Sequence, residues 1–251
     1  MRGRGVCIAL GLAAGLAVAA PASAAEVSGP HQTVDQRYTT TKPATPTGFT
    51  YDATYHAAGD PSARPPYMDR MISHPPPGLR YDTSVPERCT ASDLQLAAFG
   101  AAACPEGSRL GGGTTRTAFM GGSETTVDLD LFNNENEQII LARSPLITTI
   151  ARGRIHPDMS VEFASPTCYP SVPGVTCPVD NVLQLSSSMR VPAYTRTIDG
   201  VVRSWMTTPP KCPKSARWRS TIQWWWADGT EDTLTFEHPC KRPRAKRSRR
   251  R

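Results

Sequence analysis

"QWWWADGTEDTLTFEHPC", residues 223 to 240, sets three tryptophans against a turn and runs on to a cysteine. Apolar and polar residues alternate on both sides of the turn, the pattern of two half-buried strands. Loop length decides which side chains share a face. A two-residue loop, Asp228-Gly229, puts Trp224 opposite Thr233 and Gln223 opposite Leu234, so each face mixes apolar with polar. A three-residue loop, Ala227-Asp228-Gly229, with Gly229 in the left-handed region, shifts the pairing by one. Ile222 then faces Leu234, Ser220 faces Phe236, and Trp218, Trp224 and Trp226 join that face. Register follows the buried pattern, so the three-residue loop is expected, with Trp224 and Trp226 in the core.

Trp225 falls on the opposite face, with Arg219, Thr221 and Gln223. Trp225, Arg219 and Gln223 are therefore the candidate ligand-binding group: an aromatic beside a turn can stack on a sugar ring or a partner's surface. The competing and favoured expectation is that a second layer, such as the proline-rich segment 207–213, covers Trp225.

Period two recurs upstream. In GFTYDATYH, Phe49, Tyr51, Ala53 and Tyr55 alternate with polar residues, and in TTVDLDLF so do Val127, Leu129 and Leu131. NNENE, residues 133 to 137, reads as the loop of a hairpin leading into QIILA. Further strands are expected at 68–73, 109–119, 146–154, 159–163, 182–186 and 201–206. One helix is predicted in TASDLQLAAFG, with Thr90 as N-cap, Asp93 at the capping-box position and Gly100 just past the end. About ten short strands and one short helix argue an all-β fold, an antiparallel β-sandwich or open barrel spanning 48–240. Residues 25–47, rich in Pro, Thr and Ala, read as a linker with a short strand near 37–41.

The first 24 residues carry Arg2 and Arg4, an apolar run from Val6 to Ala20 and the triplet Ala22-Ser23-Ala24, which reads as a signal peptide cleaved after Ala24. The expected location is secreted or extracellular, with association to the cell envelope as a further expectation. Six cysteines then remain: Cys89, Cys104, Cys168, Cys177, Cys212 and Cys240. An even number in an oxidising compartment implies disulfides rather than zinc thiolates. Spacing alone does not choose the pairing, although it suggests three close pairs, 89/104, 168/177 and 212/240.

The formal charge of +6 conceals two regions. Residues 241–251 hold Lys241, Arg242, Arg244, Lys246, Arg247, Arg249, Arg250 and Arg251, and without them and the signal's two arginines 18 basic residues face 22 acidic ones. A tail with no apolar residue able to form a core is expected to be disordered. Its candidate partner is an acidic envelope polymer or another anionic surface; a plain solubilising role is the alternative.

No catalytic signature is present. GxSxG is missing, and His31, His56, His74, His156 and His238 are scattered without an identifiable acid or nucleophile. GGG at 111–113 lacks the lysine of a phosphate loop and reads as a bulge beside a strand. Asp128, Asp130, Asn133, Asn134, Glu135 and Asn136 crowd oxygen ligands together, but not with EF-hand spacing, and a solvated strand face accounts for them. A carboxylate pair such as Asp128 with Glu162 is the kind a glycosidase needs. No cofactor or metal site is expected.

Taken together, PTGFTYDATYH, DPSARPPYMDRM, PPGLRYDTSVPERCTASDLQL, AACPEGSRLGGG, TTPPKCP and WADGTEDTLTFEHPC resemble a family of uncharacterised secreted actinobacterial proteins. The resemblance spans roughly 45–240. It implies export, a single β-rich domain, and the 89/104 and 212/240 cysteine pairs. That family carries no assigned activity, so no catalytic residue transfers; Cys168, Cys177 and the basic tail depart from it. The expectation is an exported, non-enzymatic binding or envelope-associated module, with a secreted hydrolase of polysaccharide as the alternative.

Overall fold

The computed structural model describes residues 26–118, 124–145, 147–171, 177 and 183–242. The signal-peptide segment and tail residues Arg244, Lys246, Arg247, Arg249, Arg250 and Arg251 lie outside them. Among the described residues the strands are β1 (Val27–Ser28), β2 (Gln32–Tyr38), β3 (Phe49–Tyr55), β4 (Met68–His74), β5 (Arg80–Tyr81), β6 (Arg109–Ala118), β7 (Glu124–Asn134), β8 (Glu137–Arg143) and β9 (Ile147–Ile155). They continue with β10 (Val161–Ala164), β11 (Thr167–Pro170), β12 (Leu183–Val191), β13 (Thr195–Ile198), β14 (Val201–Ser204), β15 (Met206–Thr207), β16 (Arg217–Trp226) and β17 (Glu231–Pro239). One α-helix, α1 (Asp93–Phe99), lies between β5 and β6.

The hairpin β16–β17 adopts the register that buries its apolar residues: Ile222 pairs with Leu234, Ser220 with Phe236 and Trp218 with His238. Trp226 and Thr230 close a three-residue loop, the Gly229 amide donates to the Trp226 carbonyl at 2.9 Å, and Gly229 takes φ +84°. Only glycine reaches that conformation without steric cost.

β16 and β17 form one end of an antiparallel sheet ordered β1-β2-β3-β12-β6-β7-β8-β9-β10-β4-β16-β17, with β11 also on β9. The sheet curls until its two ends meet. No ladder hydrogen bonds join β17 to β2; side chains close the seam instead. His31 Nδ1 donates to Asp232 at 2.8 Å, Ser220 Oγ to Gln36 Oε1 at 3.2 Å, and the Tyr38 and His238 rings lie 4.4 Å apart. The result is all-β, as expected, and of the two architectures a nearly closed barrel.

The expected linker, as far as it is described (26–47), carries two strands instead. β1 and β2 belong to the barrel wall, and Val34 is fully buried in it. On the inward face of β2, Gln32 and Gln36 alternate with Val34 and Tyr38, so the segment lacks a clear apolar stripe. The NNENE loop is tighter than expected too: β7 and β8 run to Asn134 and Glu137, leaving a two-residue turn with Asn136 at φ +51°. The expected strand at 201–206 divides at Trp205 into β14 and β15.

The helix begins two residues later than expected. Ser92, not Thr90, is the N-cap, and Gln95 completes the capping box. Asp93 sits in the first turn, where its carboxylate accepts from Arg152 Nε at 2.7 Å. Leu96 packs with Cys89, Ile139, Leu141 and Ile150 on the outside of β8 and β9. The Cys89–Cys104 disulfide brackets this helix, and Cys168–Cys177 and Cys212–Cys240 complete the three close pairs. Three disulfides fit an oxidising compartment.

Elsewhere the outer wall is charged or polar, with Asp128 on β7, Arg217 and Arg219 on β16, and Glu231 and Glu237 on β17. Apolar residues point inward, the inverse of a lipid-facing barrel. No described helix is long and apolar enough to cross a membrane.

Candidate ligand cavity

Alternation along every wall strand sends one set of side chains into the barrel. β3 contributes Phe49, Tyr51 and Tyr55; β4 Met68 and Met71; β7 Leu129 and Leu131; β10 Val161 and Phe163; β16 Ile222 and Trp226. These do not fill the interior. A cavity of ≈ 210 Å³ remains, reaching toward the barrel end marked by Pro66 and Pro166. Small residues help to make the room, notably Ala142 on β8 and Ala151 on β9. Gly153 lets the Phe163 ring pack onto β9, since a Cβ there would meet the ring at 2.3 Å.

The polar groups on the wall are neutral: Tyr38, Tyr51, Tyr55 and Tyr81, Gln36, Gln138 and Gln184, and several serines and threonines. Among the described lining residues there is no Asp, Glu, Lys, Arg, His or Cys. Tyr51 and Tyr55 hydrogen-bond through their hydroxyls at 2.8 Å. Tyr38, Tyr51 and Tyr81 keep some accessible surface, but it faces the cavity, and desolvation pushes their phenol pKa values up. Tyr55 rises to about 12 for the same reason. All four are protonated at physiological pH, so the wall carries no charge.

One end of the wall is pinned by a buried network. Asp232, 3% exposed, accepts from Trp226 Nε1 at 2.9 Å as well as from His31, whose ring lies 5.1 Å from that of Trp226. This fixes the orientation of the tryptophan that lines the cavity.

A second buried pair looks like a nucleophile and its base. His238 Nε2 donates to Ser220 Oγ at 2.8 Å, since the serine hydrogen is already given to Gln36, and this is the wrong direction for a base that activates a nucleophile. His238 Nδ1 has no partner, and desolvation lowers the His238 pKa to about 4. The third group that would orient a base is missing, and both side chains are buried in the seam. The pair therefore acts in packing.

The residues singled out from the sequence lie elsewhere. Trp225, Gln223 and Arg219 share the outer face of β16, as expected, but each has a protein partner. The Arg70 guanidinium stands 3.8 Å above the Trp225 ring, whose Nε1 donates to Glu231. Gln223 pairs with His74 at 3.2 Å, and Arg219 with Glu237 at 2.8 Å. Segment 207–213 does not cover Trp225: its Lys211 carbonyl accepts from Trp218 Nε1, and Pro209 and Pro210 lie over Gly78. Of the tail, Arg242 donates to the Pro213 carbonyl and the Lys241 amide to that of Thr41.

The oxygen-rich cluster is likewise occupied. Asp130 pairs with Arg109, Glu135 with Arg88, and Asn133 donates to the carbonyls of Thr83 and Glu87. Asp128 lies on the exterior of β7, and Glu162, bound to His156 and Arg70, on β10, three strands farther round the wall. They do not face each other across the cavity. GGG at 111–113 is not itself the expected bulge: the three glycines lie within β6 and pair in regular register with Leu131, Asp130 and Leu129, and the irregularity falls just before them, between Arg109 and Gly111.

The cavity itself was not foreseen. Its clearest sequence signal was the run Phe49, Tyr51, Tyr55 on one face of β3, three large aromatics where a plain core strand would carry aliphatics. No protein-family model, curated protein or solved structure matches this chain.

Proposed function

We propose that this chain is an exported, non-enzymatic binding protein that holds a small apolar ligand inside its barrel. The observation that carries this is the ≈ 210 Å³ interior cavity, walled by aromatics, methionines and aliphatics with a few neutral polar groups. Concave, largely apolar sites with sparse polar groups are where small ligands bind. Among the described residues the wall offers no acid, base or nucleophile arranged for turnover, so binding explains it better than hydrolysis of an envelope polysaccharide does.

Export is supported by the three disulfides and by the leader-like start of the sequence. We further propose that the basic segment 241–251 holds the protein to an acidic envelope surface. A low-salt cell-wall pull-down that retains protein lacking this segment as strongly as the full chain refutes that part.

The cavity is tested by filling it. Ala151→Phe places a ring in the open space, and calorimetric titration with 2-naphthol compares it with the wild type. Saturable binding by the wild type and none by the variant, with the melting temperature retained or raised, is expected. Equal binding by both would move the ligand out of the barrel.

A further inference from the structure

Resting on the cavity reading, we infer that the ligand is an uncharged molecule of about eight heavy atoms whose single oxygen, a hydroxyl or carbonyl, is anchored by the Tyr51–Tyr55 hydroxyl pair. The size follows from the volume: a dry apolar cavity of ~150 Å³ accommodates benzene, and this one measures ≈ 210 Å³.

Neutrality follows from the wall. An ion moved from water into a low-dielectric cavity loses its hydration and must find an opposite charge. Here none lines the cavity among the described residues. Of the buried titratable groups behind the wall, His31 and Asp232 already pair with each other at 2.8 Å and with Trp226, and His238, packed on Tyr38, is kept neutral by desolvation. The guanidinium groups of β16 and β6 lie on the exterior.

The anchor follows from hydrogen-bond accounting. Of two hydroxyls 2.8 Å apart, one donates to the other, and the acceptor keeps its own hydrogen. Neither tyrosine has a second protein partner for that hydrogen among the described residues. Of the other polar groups on the wall, Gln36 Oε1 accepts from Ser220 and Gln184 Nε2 donates to Thr115 at 3.3 Å, while Ser165 Oγ is buried without a partner but sits next to Pro166, at the barrel end. The uncommitted tyrosine O–H thus meets a ligand oxygen, while the aromatic and methionine surface takes up the apolar remainder.

The test uses the full secreted chain and three probes of nearly equal size, 1-octanol, octanoate and 1-chlorooctane, titrated calorimetrically at pH 8. Octanol is expected to bind at least about 100-fold more tightly than octanoate. The gap should narrow as the pH falls and octanoate becomes neutral. Tyr51→Phe with Tyr55→Phe should weaken octanol roughly tenfold and leave 1-chlorooctane unchanged, which separates lost anchoring from lost folding.

Octanoate binding within tenfold of octanol at pH 8 overturns the neutral-ligand inference while leaving the cavity reading intact. An octanol affinity that the double variant does not lower overturns the anchor. If neither these probes nor 2-naphthol binds, the cavity reading itself falls.

Discussion

Replacing Asp232 by alanine tests whether the Asp232 network holds the barrel seam and the cavity wall together. The carboxylate is 3% exposed and accepts from His31 of the β1–β2 connection and from Trp226 at the end of β16. Alanine leaves two buried N–H donors without partners. Each unsatisfied donor costs ~1–2 kcal/mol, so Asp232→Ala should lower stability by ~3 kcal/mol. Asp232→Asn keeps one acceptor for Trp226 and should cost about half as much. Urea unfolding followed by tryptophan fluorescence, with disulfides intact, reads this as a midpoint about 1 M lower at an unchanged slope. Because Trp226 also lines the cavity, 2-naphthol affinity should fall in the same variant. A midpoint within ~0.3 M of the wild type would show that the seam is held by its apolar residues Val34, Leu234 and Phe236 alone, and the reasoning would fail.

Removing the Cys89–Cys104 bridge by Cys89→Ala with Cys104→Ala opens a 15-residue loop and should cost ~3 kcal/mol, with amide-exchange protection lost first in α1. Unchanged protection there would mean that Leu96 and the Arg152–Asp93 pair suffice. His238 has a folded pKa of about 4 against an ordinary 6.5, so between these values the unfolded chain takes up a proton that the folded one does not. Stability should therefore fall as the pH drops below 6.5 and be fully lost from this group below pH 4, by at most about 3 kcal/mol. His238→Gln should flatten the unfolding free energy over that window, and an identical slope would remove His238 as its source. Arg70→Ala should cost under ~1 kcal/mol and expose Trp225, seen as stronger acrylamide quenching; no change in quenching would show that Arg70 does not shield the ring.

Local patterns set much of this architecture. In β16–β17 a glycine able to take positive φ and two strictly alternating strands leave only one register that buries Trp218, Trp224 and Trp226 together. Close cysteine spacing likewise suggested the three bridges that form. At the helix start two local caps compete, and Ser92 wins over Thr90 through its reciprocal capping box with Gln95, which leaves the Asp93 carboxylate to Arg152 of β9. Where local preference was ambiguous, tertiary contacts decided. Trp225 was placed on the correct face, but its covering arginine comes from β4, far away in sequence.

The inward placement of the β1–β2 segment likewise depends on distant partners. His31 becomes tolerable inside only when Asp232, 201 residues away, supplies its partner, and no window of sequence contains both. The cavity lies furthest from the sequence of all. Periodicity by itself determined which side chains point inward, strand by strand. Whether those side chains meet or leave a space depends on how far the sheet curls before its ends touch, and that distance is a property of the closed barrel, not of any strand in it.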